Sequence, residues 1–272
     1  MKVVDLSHPW NLHTPGWVGY PGGRIYYTQT LQTNRIVSQR IETSLHSGTH
    51  LDGPMHASDS NVDMASLPLT KLIGPGAIAD VSEVAGSDWD VIEPHHITDQ
   101  IEVRKGDILI IHTGYHRYYQ GQPQQDLVRY FCMHPGGKRE LAEWMLDMEI
   151  AWWGVDAGSG DHPMNTTIRT MRPDLAKRFE EHVGMTCSEF FGDYTYTHAG
   201  SGRRVKEDLF PMHYLAFPAG CIHAENVGGA IERVLNQRCL IGAFPWKFEG
   251  GEACPCRILA FFDVGDMVVE EL

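Results

Sequence analysis

The sequence predicts an α/β or α+β domain built on a mixed β-sheet, and three observations carry that prediction. Eight short segments rich in β-branched and aromatic residues are spread along the chain. Two of them contain the continuously apolar runs Ile108-Leu109-Ile110-Ile111 and Ile258-Leu259-Ala260-Phe261-Phe262, as strands buried on both faces tend to. Helical periodicity is sparse and falls between strands, so layers of helix on sheet are the economical architecture.

Taken in order, residues 3–6, 24–31, 35–43, 76–81, 107–112, 150–156, 239–244 and 257–263 read as strands. In residues 138–148, Leu141, Trp144, Met145 and Met148 recur at i, i+3, i+4 and i+7, an amphipathic helix. Residues 173–182 open on Pro173-Asp174 and stop at Gly184, a capped surface helix. Residues 209–217 suit a short helix broken at Pro218-Ala219-Gly220, and His95-His96 follow Pro94 at a helix start. The stretch 158–205, extending at most to 208, is polar and punctuated by Gly. It reads as an insertion or lid inside one domain spanning residues 1–272.

The chain has 272 residues, 42% hydrophobic and 21% charged, ordinary for a globular protein with a substantial core. A formal charge of -13 excludes nucleic acid and anionic membrane surfaces as expected partners, because both need clustered Lys and Arg. No apolar run approaches the roughly 18 residues of a membrane span. The start, Met1-Lys2-Val3-Val4-Asp5-Leu6-Ser7-His8-Pro9, has no apolar signal core. Six scattered cysteines without a C-x-x-C pair suggest reduced thiols, hence a cytoplasmic protein. Cys254-Pro255-Cys256 is too tight for a two-cysteine chelate and reads as structural.

The chemistry concentrates in His46-Ser47-Gly48-Thr49-His50-Leu51-Asp52-Gly53-Pro54-Met55-His56. On one straight strand the four candidate ligands His46, His50, Asp52 and His56 would share a face. At about 3.3 Å per residue, however, the outer pair would lie roughly 33 Å apart. On one helix, His50 and Asp52 would diverge, and Gly48, Gly53 and Pro54 oppose a continuous helix. The remaining arrangement is a bent segment leaving strand 35–43, with glycines letting imidazoles and carboxylate converge. Imidazole plus carboxylate is the ligand set of Zn or Mn. The competing reading of these residues is a loop of solvated histidines.

The segment resembles the signature H-x-G-T-H-x-D-x-P-x-H of the cyclase family of metal hydrolases, which includes bacterial kynurenine formamidase and isatin hydrolase. HSGTHLDGPMH matches it at every fixed position. Asp5-Leu6-Ser7-His8-Pro9 with Trp17, Thr113-Gly114, Gly154-Val155-Asp156, Pro245-Trp246-Lys247-Phe248-Glu249-Gly250 and Pro255-Cys256-Arg257 resemble further family elements. The resemblance spans nearly the whole chain. It implies a mixed, barrel-like sheet of the swivelling β/β/α type with flanking helices. It implies one or two divalent ions, with His46, His50 and Asp52 holding one and Asp52, His213 and Glu225 the other. His223 competes with Glu225 from two residues away. It implies His56 as acid/base, Trp17 as a stacking surface for an aromatic substrate, and hydrolysis of the C–N bond of a small amide or lactam. A small-molecule substrate and a homodimer or homotetramer complete the expectation. A cyclase, dehydratase or lactonase on another carbonyl substrate is the alternative, and a non-catalytic metal binder a third reading.

Two features depart from that pattern. The interval from Asp156 to His213 is longer than in compact relatives by roughly 35 to 40 residues, a length usual for lids or interface elements. It carries Phe190, Phe191, Tyr194 and Tyr196 with Arg169, Arg172, Arg203 and Arg204. Trp246 replaces the usual aliphatic residue after Pro245. Elsewhere, His112 and His116 form a second H-x-x-x-H, read as pocket-lining or structural. His162 is undecided, and adjacent Trp152 and Trp153 are packing residues on opposite faces of a strand.

Overall fold

The computed structural model describes residues 1–192, 195–197, 204–206 and 209–265, with side chains at all of these except 195–197 and 204–206. Nine strands form one mixed sheet: β1 (Lys2–Asp5), β2 (His50–Asp52), β3 (Ile73–Asp80), β4 (Ile108–His112), β5 (Trp152–Val155), β6 (Ile222–Glu225), β7 (Gln237–Phe244), β8 (Ala253–Pro255) and β9 (Arg257–Phe262). Their spatial order is β1-β9-β7-β3-β4-β5-β6-β2-β8. β3, β4, β5 and β6 are parallel, and the flanking strands on either side pair antiparallel.

The central parallel strands are the continuous apolar runs. Ile108 to Ile111 and Trp152 to Val155 are all buried, as strands covered on both faces must be. β9 differs from the expectation for 257–263. Only Ile258 and Ala260 are buried, while Leu259, Phe261 and Phe262 are half-exposed. It lies next to the edge strand β1, and only one of its faces is fully covered. Strands 24–31 and 35–43 shorten to Arg24–Gln29 and Ser38–Glu42, which among the described residues pair only with each other, in a separate ribbon. The turn Leu31–Asn34 between them ends at Arg35 in a left-handed conformation.

The helix predicted over 138–148 is α1 (Arg139–Asp147), with Leu141 and Met145 fully buried and Trp144 and Met148 at the margin of the core. The helix predicted over 173–182 is α2 (Pro173–Val183), capped by Gly184 at φ 76°. It is more than a surface helix, because Leu175 and Phe179 enter a second apolar cluster with Trp89, Tyr130, Met164 and Ile168. So residues 163–191 pack as a small helical layer against the segment after β4. The predicted helix over 209–217 is α3 (Pro211–Tyr214). Tyr194 and Arg203 lie outside the described residues, as do the parts of a lid at 193–194, 198–203 and 207–208; Tyr196 and Arg204 are described by backbone only.

Candidate metal centre

Two adjacent strands build the floor of the site. On β2, His50 and Asp52 share a face by alternation; on β6, His223 and Glu225 do the same. The antiparallel register sets Glu225 opposite His50, which brings four ligand-type side chains onto one patch. β2 is thus itself a sheet strand of three residues, flanked by bends; it is not an extension of 35–43. Gly48 makes the first bend at φ 71°, where a Cβ would meet Trp10 at 2.9 Å. The Asn226 side-chain amide donates to the Gly48 carbonyl at 3.0 Å and locks that bend. Pro54–His56 then turns as a short 3-10 helix and returns His56 towards His46, their rings 4.2 Å apart.

Asp52 lies at the centre. Its Oδ1 is 3.0 Å from His46 Nδ1 and 3.3 Å from His50 Nε2. Its Oδ2 is 3.5 Å from His223 Nε2 and 3.9 Å from His213 Nε2. Asp52, His213, His223 and Glu225 present ligand atoms within 4.8 Å of one another, as do His46, Asp52 and His56. The imidazoles are held by their far nitrogens. His50 Nδ1 donates to the Gly48 carbonyl at 2.8 Å, and His213 Nδ1 donates to Asp161 at 2.5 Å. Those bonds turn each Nε2 lone pair towards the carboxylates.

The donor set fits a divalent cation. Among the described residues, both Asp52 oxygens and His50 Nε2 are buried without a hydrogen-bond partner, although bare carboxylate and imidazole lone pairs facing one another in a buried site are costly. Charge responds in the same sense. Burial opposes ionisation of Asp52, yet the imidazoles of His46, His50 and His56 hold its carboxyl well below the usual range. Burial would lower His46, but Asp52 and Glu252 raise it to about 11. Glu225 is likewise lowered against burial, chiefly by His223.

The ligand and acid/base candidates His46, His50, Asp52, His56, His213 and Glu225 converge here, and two more residues stand beside them. His223, read there as a competitor of Glu225, stands beside it at 3.2 Å in the same cluster. Glu252 had no signal of its own. Its Oε2 accepts from His46 Nε2 at 2.8 Å and from His56 Nδ1 at 2.9 Å, and those bonds hold it down at about 2 despite burial. Glu252 directly precedes β8, whose Ala253 pairs with Asp52, so sheet pairing delivers it to the motif.

A cleft of about 400 Å³ opens above the cluster, floored by His46, Asp52, His56, His213 and Glu225. Trp17, Tyr20 and Phe210 form an aromatic wall, with Trp17 5.9 Å from Tyr20 and 6.2 Å from Phe210. Thr167 and Met171, from the long 158–208 segment, line the same cleft. His162 does not: it is buried between Phe179 and Phe191, with Nε2 donating to the Trp89 carbonyl. His112 and His116 do not line the cleft either. Trp152 and Trp153 are buried packing residues, Trp153 against the His223 ring at 5.0 Å.

Comparison with known proteins agrees with this geometry. Residues 4–162 match the family model Cyclase, described as "Putative cyclase". The chain is 25% identical over 159 residues to a kynurenine formamidase of Bacillus cytotoxicus, covering 58% of this chain and 69% of that relative. It is 29% identical over 99 residues to a kynurenine formamidase of Sphingopyxis alaskensis, covering 34% of this chain and 47%, about half, of that relative's length. The fold is similar to that of isatin hydrolase A from Labrenzia aggregata, solved with benzyl benzoate bound. That similarity has a TM-score of 0.71 at 18% identity and covers 95% of this chain and 93% of the other. The signature segment on β2, beside the edge strand β8, the nine-stranded mixed fold and the family match lead to one conclusion: the chain belongs to the cyclase family.

Proposed function

We propose that this chain is a metal-dependent amidohydrolase that opens the C–N bond of a small aromatic amide or lactam, arylformamide- or isatin-like. The observation that carries the reading is Asp52, whose two buried, unpartnered oxygens each face a different pair of imidazoles. That supports two divalent ions, Zn or Mn, with Asp52 shared between them. His46 and His50 would complete one site; His213 and Glu225, with His223 beside them, would complete the other. A bound divalent ion at such a centre polarises a carbonyl and acidifies water.

The chain's own residues supply the rest. His56 is the only imidazole of the motif with appreciable exposure, its side chain 21% accessible, and it borders the cleft. We assign it the proton transfer to the leaving nitrogen, a role an imidazole at the edge of the cleft can fill. Glu252 accepts from His56 Nδ1–H, which leaves Nε2 as the proton-exchanging atom. Trp17, Tyr20 and Phe210 would stack an aryl ring above the centre, consistent with the preference of ring pairs for 4.5–7 Å separations. We further propose that the 158–208 segment sets specificity, because Thr167 and Met171 reach the cleft.

Kynurenine formamidase and isatin hydrolase among the relatives support the substrate class. Six free cysteines are consistent with the cytoplasm, and the exposed Tyr27 and Ile41 of the outer ribbon with a homo-oligomer. The reading is tested by turnover of an arylformamide and of isatin in heavy-oxygen water. Hydrolysis places one solvent oxygen in the acid product. Product without solvent oxygen, or no turnover of any amide or lactam by the metal-loaded protein, contradicts it.

A further inference from the structure

We propose that the chain carries an additional buried divalent-cation site, formed by His112, His116 and Asp156 at the carboxyl ends of β4 and β5. It is distinct from the centre at Asp52. Ala224, Gly154 and Ile110 are in register across three parallel strands. His223 and Glu225 therefore project to one face of the sheet. His112, two residues beyond Ile110, and Asp156, two beyond Gly154, project to the other.

The ligand atoms already stand close to coordination spacing. Two bonds of 2.0–2.1 Å at a tetrahedral angle separate their ligand atoms by roughly 3.3 Å. Asp156 Oδ2 is 3.0 Å from His116 Nδ1 and 3.7 Å from His112 Nε2, and all three ligand atoms lie within 4.8 Å of one another. His112, His116 and Asp156 are all buried.

The supporting shell is also built. Asp80 accepts from His112 Nδ1 at 2.8 Å, which turns Nε2 towards Asp156. Among the described residues Nε2 has no hydrogen-bond partner there, and His112 is only 4% exposed. A lone pair held against a buried carboxylate is relieved by a proton or a metal cation between them, and a metal ion serves all three ligand atoms at once. Asp156 Oδ1 accepts from the Thr113 amide at 2.6 Å and the Thr113 hydroxyl at 2.7 Å; Oδ2 accepts from the Gly114 amide at 2.9 Å and the His116 amide at 3.3 Å and is the oxygen turned to both imidazoles. Glu232 reaches His116 Nε2 at 3.4 Å from the far side. A carboxylate behind each ligating imidazole is the usual outer arrangement of a metal site. Two imidazoles and one carboxylate select a zinc-type ion over Mg or Ca, which prefer all-oxygen sets. An ion there would tie the turn after β4 to the end of β5.

Crystals of the full chain soaked in zinc salt test this, with anomalous scattering measured at the zinc edge. The expected result is a peak bonded to His112, His116 and Asp156, and it should persist in His50→Ala, which removes only the Asp52 centre. In solution, His112→Gln should bind one zinc ion fewer per chain than the unsubstituted protein while keeping its turnover. A soaked crystal with no peak at these three residues overturns the proposal, whatever the Asp52 centre holds, and shows the imidazoles to be bridged by protons instead. Equal zinc content in folded His112→Gln and the unsubstituted chain also overturns it.

Discussion

Replacing Glu252 by Gln removes one negative charge and leaves the side chain's volume almost unchanged. In the folded protein a single oxygen of Glu252 accepts from both His46 and His56, at 2.8 and 2.9 Å. Hydrogen bonds to a charged group contribute about 1.5–3 kcal/mol against about 1 kcal/mol for neutral ones. Gln can keep both contacts through its amide oxygen, so the loss is about 1–2 kcal/mol at the His56 bond. At 1.36 kcal/mol per decade that lowers kcat by roughly 5- to 30-fold. Glu252→Ala leaves two imidazole N–H groups without their acceptor and should cost more, about 100-fold, the upper end of the 10–100-fold range for groups that orient metal ligands. Turnover of an arylformamide, followed by the absorbance of the released aryl amine, reads kcat and KM separately. The effect should fall on kcat, because Glu252 does not border the aromatic cleft. Glu252→Ala with unchanged kcat, or a loss confined to KM, would refute the argument that this carboxylate positions His56.

Asp161→Asn should weaken metal retention about 10–100-fold with little change in fold, since Asp161 holds His213 Nδ1 and its other oxygen accepts the Met212 amide; dialysis against a chelator followed by metal analysis measures it. His8 gives a pH signature in the metal-free protein. Burial, reinforced by His116, lowers its pKa from 6.5 to about 4. The unfolded chain therefore takes up a proton that the folded chain refuses. Stability from this group is complete above pH 6.5 and falls by up to about 3 kcal/mol as the pH drops to 4. Urea unfolding across that window should show the slope in the unsubstituted chain and a flatter profile in His8→Phe.

The sequence made the central strands legible because their residues are apolar on both faces, as Ile108 to Ile111 are. It made the site legible because four ligand-type positions, His46, His50, Asp52 and His56, match a signature. What it hid follows from physics that periodicity does not register. Ile222-His223-Ala224-Glu225 alternates apolar and polar, the pattern of a half-exposed strand, yet all four residues are buried. Its polar face is covered by the other ligands and not by water. β2 and β8 are three residues each, too short for any periodic signal. Glu252 joins His46 and His56 across 206 and 196 positions of chain, a pairing set by strand register alone. Residues 163–191 look polar in composition, but Leu175 and Phe179 sit one helical turn apart and place a single apolar stripe against Trp89 and Met164.

Asp52 is the proposed shared ligand of a divalent centre. Its most direct test is metal content and turnover measured together on chelator-treated protein during stepwise return of zinc or manganese. Turnover should be absent without metal and recover in step with ions bound, and Asp52→Asn should neither retain those ions nor recover. Full turnover by protein free of divalent metal, or an Asp52→Asn protein that keeps its ions and its rate, would contradict that role.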